Sequence, residues 1–128
     1  MTAATNLCVL VVDDDDDARE LLRAVLETHV SEVLMAESAA VAISLLEQQR
    51  PHVLVSDIAM PDEDGYALIR RVRALPPDRG GDTPAIAVTA YSGGADRQKA
   101  LAAGFNRHMA KPVDLESFVA AVQELGTA

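Results

Sequence analysis

Five positions of this 128-residue chain carry side chains suited to one chemistry: Asp13, Asp14, Asp57, Thr89 and Lys111. Each follows or closes a short apolar run. LVV precedes Asp13 and Asp14, VLVS precedes Asp57, AIAV leads into Thr89, and a run ending in Ala110 leads into Lys111 and Pro112. Three carboxylates gathered together cannot all stay ionised without a compensating cation, which points to a hard divalent metal, Mg2+ first among them. A lysine and a hydroxyl beside metal-bound carboxylates suit a transferable phosphoryl group. The cations neutralise its oxygens and the hydroxyl donates a hydrogen bond.

That chemistry needs the five side chains to converge, and the chain pattern supplies a way. Leu7 to Val12 reads as a strand buried on both faces. Ala18, Leu21, Leu22 and Val25 then recur at helical spacing, after an acidic first turn that Asp15 or Asp16 would cap. Val33 to Ala36 is a second strand, and Ser38 caps a helix with the stripe Ala39, Ala42, Ile43 and Leu46. Val53 to Ser56, then Leu68, Val72 and Leu75, repeat the alternation. So do Ala85 to Thr89 and an alanine-rich helix that Ser92 would cap and Gly104 would end. The last pair is a strand around Asn106 to Ala110 and a helix with Leu115, Phe118, Val119 and Val122 on one stripe. Five strands alternating with five helices predict a single α/β domain over residues 1–128, a doubly wound parallel sheet covered on both faces. In such a sheet the functional crevice lies at the carboxyl ends of the strands. The five chemical positions are the ones found there.

Composition excludes several rivals. A formal net charge of −9 opposes nucleic-acid binding and adhesion to an anionic membrane. No apolar run approaches the roughly 18 residues of a membrane span, and MTAATNL lacks a basic signal-peptide head. A single cysteine, Cys8, excludes an internal disulfide and a CxxC pair, and reads as a small core residue. The expectation is an acidic cytoplasmic domain.

LVVDDD, VLVSDIAMPDEDGY, AIAVTAYS and AGFNRHMAKPVD, in that order and at those spacings, resemble the receiver domains of two-component response regulators. The likeness covers roughly residues 7 to 125. It implies a flavodoxin-like sheet of order 2-1-3-4-5, with Asp57 as phosphoacceptor and Asp13 and Asp14 as the acidic pair. It further implies that the backbone carbonyl of Ala59 completes the Mg2+ ligands, that Thr89 is the switch hydroxyl, and that Lys111 contacts the phosphoryl group. The Lys111–Pro112 bond would be cis. Phosphorylation from a histidine kinase or a histidine-phosphotransfer domain would reorder the face built from helix four, strand five and helix five, toward a possible downstream target. Helix four, with Leu101 alone among alanines, would shift easily. The long loop before strand four and the ending GFNRHMAKPVD look like receivers attached to hybrid histidine kinases. His108 stands where the family usually has an aromatic residue, and is expected to couple phosphorylation to docking. After Pro112 there is room for one helix, so no output domain is expected on this chain.

Other readings fit less well. An aspartyl-phosphate phosphatase or phosphotransferase of the haloacid-dehalogenase type needs an acid two residues after the nucleophile, and that position is Ala59. A nucleotide or flavin binder wants a glycine-rich cradle after strand one, where this chain has five aspartates. A calcium loop starting at Asp13 fails at its sixth and twelfth positions, Ala18 and Ala24. A phosphorylation-independent interaction module would not need all five site residues. His29 and His52 receive no role; Met35, Met60 and Met109 are read as packing residues. Tyr91 would screen the phosphoryl group or cover helix four.

Overall fold

The computed structural model describes residues 5–90 and 93–127. Its elements are β1 (Thr5–Val12), α1 (Asp16–Leu26), β2 (Val30–Ala36), α2 (Ala39–Gln49) and β3 (Val53–Ser56). They continue with α3 (Gly65–Ala74), a 3-10 turn (Pro77–Arg79), β4 (Ala85–Thr89), α4 (Gly94–Ala103), β5 (Arg107–Ala110) and α5 (Leu115–Thr127). All pairings are parallel, in the order β2-β1-β3-β4-β5. This is the flavodoxin-like order that the resemblance implies. The chain reverses direction across the sheet between β1 and β3, where β1 leads into Asp13 and β3 into Asp57.

The central strands are buried along their length because alternate side chains feed two separate cores. Leu10, Val12, Leu54, Ala85 and Ala87 meet α2 and α3, with Ala100 of α4 and Phe105. Val9, Val11, Val55, Ile86 and Val88 meet α1 and α5 through Leu22, Leu26, Phe118 and Val122. By the same alternation Thr89 lies on the α4 side of the sheet, as Ala87 does. His108 lies there too, since Met109 packs on the opposite side.

The helix starts follow the sequence closely. Asp15 caps α1 and accepts from Asp17 N–H, so Asp16 and Asp17 sit in the first turn. Ser38 caps α2 and Asp64 caps α3. At α4 the structure corrects the expectation: the helix begins at Gly94 with Gly93 as its cap. Ser92 and Tyr91 lie outside the described residues. Gly104 ends α4 with φ 130, a conformation open to glycine.

Three further readings change. Leu22 and Leu26 form the buried stripe of α1, whereas Leu21 is 53% exposed and Val25 half-buried. Leu115 is also exposed, so Phe118, Val119, Ala121 and Val122 anchor α5. Cys8 is only partly buried; that partial burial, with Glu32 beside it on the neighbouring strand, pushes its thiol up to about 11. His52 has a structural role that the sequence did not suggest: its Nδ1 accepts from Cys8 N–H at 3.0 Å.

Candidate functional site

Strand ends carry the site. Asp57 N–H donates to Val12 O at 2.9 Å and Lys111 N–H donates to Thr89 O at 2.9 Å, so the ladders run on into the loops and align them. Asp13 N–H likewise reaches Ala36 O at 3.2 Å. The Lys111–Pro112 peptide is cis, as expected from the resemblance.

Around this frame the carboxylates converge. Asp13, Asp14 and Asp57 each offer an oxygen, and these atoms lie within 4.8 Å of one another. Asp13 and Asp57 are buried, 2% and 8% exposed, while Asp14 is open to solvent. Lys111 Nζ lies between the two buried ones, 3.0 Å from Asp13 Oδ2 and 3.2 Å from Asp57 Oδ2. Burial works against charge on this lysine, but hydrogen bonds and attraction from Asp13, and then Asp57, outweigh it. Its ammonium is therefore held above the ordinary lysine range.

The other oxygens are held by backbone. Asp57 Oδ1 accepts from Ile58 N–H at 2.7 Å and from Ala59 N–H at 3.3 Å. Asp13 Oδ1 accepts from Asp15 N–H at 2.9 Å. Asp57 thus presents Oδ2 toward the lysine, with Oδ1 fixed from behind. Thr89 is fully buried at the end of β4, and half-buried His108 pairs with Ala87 in the β4–β5 register. The sequence-predicted residues Asp13, Asp14, Asp57 and Lys111 come together; Thr89 joins them through the Lys111 backbone, and His108 lies lower on β5.

Sequence reasoning missed two supports. Arg19 donates to Asp13 O at 2.7 Å and pairs with Asp16, holding the β1–α1 turn. Gly65 lets α3 approach the loop that follows Asp57: a Cβ there would lie 2.4 Å from Asp57 O. The glycine was visible in the DGY stretch, but only the close approach explains it. Arg19 had no signal, since its acceptor is a backbone carbonyl.

Beside Lys111 an apolar cleft of about 200 Å3 opens between α1 and α5, lined by Leu21, Val88, Pro112, Val113 and Leu115 among others. The exposed Leu21 and Leu115 form its rim.

A donor set of three carboxylates suits a hard, oxygen-loving cation such as Mg2+. Known proteins resemble this chain in sequence and fold. Residues 9–123 match the family described as response regulator receiver domain. An uncharacterised 14.6 kDa protein in the sodA1 3' region of Leptolyngbya boryana is 49% identical over 124 residues, covering 97% of this chain and 93% of that one. The signal transduction histidine-protein kinase BarA of Shigella flexneri is 34% identical over 110 residues, 86% of this chain but 12% of the kinase. The receiver domain of sensor histidine kinase PA1611 from Pseudomonas aeruginosa, solved with a magnesium ion coordinated in the active site cleft, superposes with a TM-score of 0.85 at 27% identity. That match covers 97% of this chain and all of the other.

Proposed function

Because this chain belongs to the response regulator receiver domain family of two-component systems, we propose that it takes a phosphoryl group from a phosphohistidine onto Asp57. The observation that carries this reading is the asymmetric Asp57 carboxylate, with Oδ1 held by two backbone N–H groups and Oδ2 turned to Lys111. Oδ2 attacks phosphorus, the phosphorus–nitrogen bond breaks, and the imidazole leaves with its electron pair. Lys111 follows the charge from the carboxylate to the phosphoryl oxygens. The Thr89 hydroxyl turns toward the new group and His108 couples that movement to the α4–β5–α5 face. Asp13, Asp14 and Asp57, with the Ala59 carbonyl, would hold Mg2+, which would supply charge neutralisation at the phosphoryl oxygens. Residues 1–128 act here as one domain that catalyses only its own phosphorylation and dephosphorylation.

The donor is a histidine kinase or a histidine-phosphotransfer domain. The apolar cleft beside Lys111 supports this, because a donor must seat a protein surface there to bring its phosphohistidine to Asp57. The reading places the domain in the cytoplasm. Among the described residues, no helix is long and apolar enough to cross a membrane.

Acetyl phosphate with Mg2+ should add one phosphoryl mass to the wild type and none to Asp57→Asn in intact-mass analysis. An undiminished adduct in the variant removes Asp57 from the role. Asp14→Asn should lose Mg2+ binding by calorimetry, whereas Asp16→Asn, in the first turn of α1, should keep it. Equal losses would mean that the aspartate run binds metal diffusely.

A further inference from the structure

Every polar atom of Asp13 has a partner. Its N–H reaches Ala36 O at 3.2 Å, its Oδ1 accepts from Asp15 N–H at 2.9 Å, and its Oδ2 faces Lys111 Nζ at 3.0 Å. The fourth atom, the main-chain carbonyl, accepts from Arg19 Nη1 at 2.7 Å. Asp14 next to it is held differently. Among the described residues its side chain makes no hydrogen bond or ion pair, and it is exposed. Its carboxylate nevertheless stands with those of Asp13 and Asp57, an oxygen of each lying within 4.8 Å of the others. Like charges gathered in this way repel. With no side-chain bond to aim it, Asp14 is directed by its backbone.

Arg19 holds that backbone. The peptide joining Asp13 to Asp14 is planar and trans, so fixing its carbonyl fixes the plane from which Asp14 departs. The Arg19 side chain, 15% exposed, spans from that carbonyl to the Asp16 carboxylate with its rigid planar fork, closing the turn over Asp14 and Asp15. The Asp16 pair is a weak reason for the arginine, because Asp16 is 84% exposed and such surface pairs contribute little. Helix chemistry does not favour it either. Arg19 is the fourth residue of α1, close to the end where the helix dipole opposes a cation. Arg23, one turn on, reaches Glu20 and Glu27 instead.

We propose that Arg19 is a positioning residue of the carboxylate cluster: by clamping the Asp13 carbonyl it sets where the Asp14 carboxylate stands, before any cation binds. The inference deepens the proposed function and rests on its Mg2+ site. Two effects of the arginine have opposite signs, and this separates them. As a nearby positive charge it repels a divalent cation, so charge by itself predicts tighter Mg2+ binding once it is removed. As a clamp it orders Asp14 in advance, so position predicts weaker binding.

Calorimetric titration of the full chain with MgCl2 decides between them. Arg19→Met keeps the apolar stem without the donors, and should weaken Mg2+ binding about tenfold with circular dichroism unchanged. Arg19→Lys keeps the charge without the fork, and should lose less but in the same direction. Arg23→Met removes a cation from the same helix and should bind as the wild type does. Unchanged or tighter binding in Arg19→Met overturns the proposal and leaves the arginine a structural part of the turn. An equal loss in Arg23→Met overturns it too, since the effect would then follow helix α1 as a whole. Should Arg19→Met fail to fold, unchanged affinity in Arg19→Lys overturns it. A wild type that binds no Mg2+ removes the metal site itself, and the proposal with it.

Discussion

α3 and α4 are neighbours of equal length, ten residues each, on one face of the sheet, and they are fastened very differently. α3 buries Gly65, Tyr66, Leu68, Ile69 and Val72; α4 buries Ala100. α3 starts from an Asp64 side-chain cap and from Gly65 N–H bonded to Ile58 O at 2.9 Å. α4 starts from two glycines, with Gly93 N–H reaching Asp96 at 3.3 Å. The helix that follows the Asp57 loop thus forms part of the rigid frame, while the helix after Thr89 lies on the sheet with little apolar anchorage. Hydrophobic side chains decide the difference, because length is matched and burial is not.

Truncation measures this gap most directly. Ile69→Ala should cost about 2–5 kcal/mol in urea unfolding, by lost transfer energy and the cavity left behind. Leu101→Ala should stay within about 0.5 kcal/mol. Comparable losses would mean that α4 is anchored as firmly as α3. The glycines sharpen the contrast, since one substitution should act with opposite signs. Gly65→Ala pushes a Cβ into Asp57 O and should destabilise by roughly 1–3 kcal/mol. Gly94→Ala meets nothing within 4 Å and should stabilise by about 0.4–1 kcal/mol. A gain at both positions would break the comparison. The smallest effect belongs to the contact joining the two helices, where Lys99 Nζ lies 4.4 Å from the Tyr66 ring centroid. Lys99→Met should lose about 0.5–1 kcal/mol, read as a lower thermal midpoint. No change would show that Tyr66 fixes α3 alone.

Much of this was legible in the sequence. Short valine-rich runs can be read as buried strands, and their ends locate the side chains of the candidate site with no knowledge of packing. Asp13, Asp14, Asp57 and Lys111 meet because β1, β3 and β5 run parallel in one sheet and end on the same side of it. The α4 stretch, with Leu101 alone among alanines, likewise announced a thinly buried helix. The periodicity of α1 was clear, but it could not say which edge of the stripe faces the core. Leu21 and Leu115 repeat at helical spacing and still line an open cleft, since α1 and α5 diverge beside Lys111. Arg73 and Arg19 escaped notice for a different reason. Most of their acceptors are main-chain carbonyls, and a carbonyl has no identity in a sequence.

Arg73 has a mechanical consequence. Its guanidinium grips Gly104 O from two nitrogens at 3.0 and 2.8 Å, and Phe105 is buried just beyond. The far end of α4 is therefore a fulcrum, and the helix is a lever about 15 Å long whose free tip is the glycine pair. A tilt of roughly 10° at Gly104 carries that tip by about 2.6 Å, enough to move Gly94 while the β5 register stays in place.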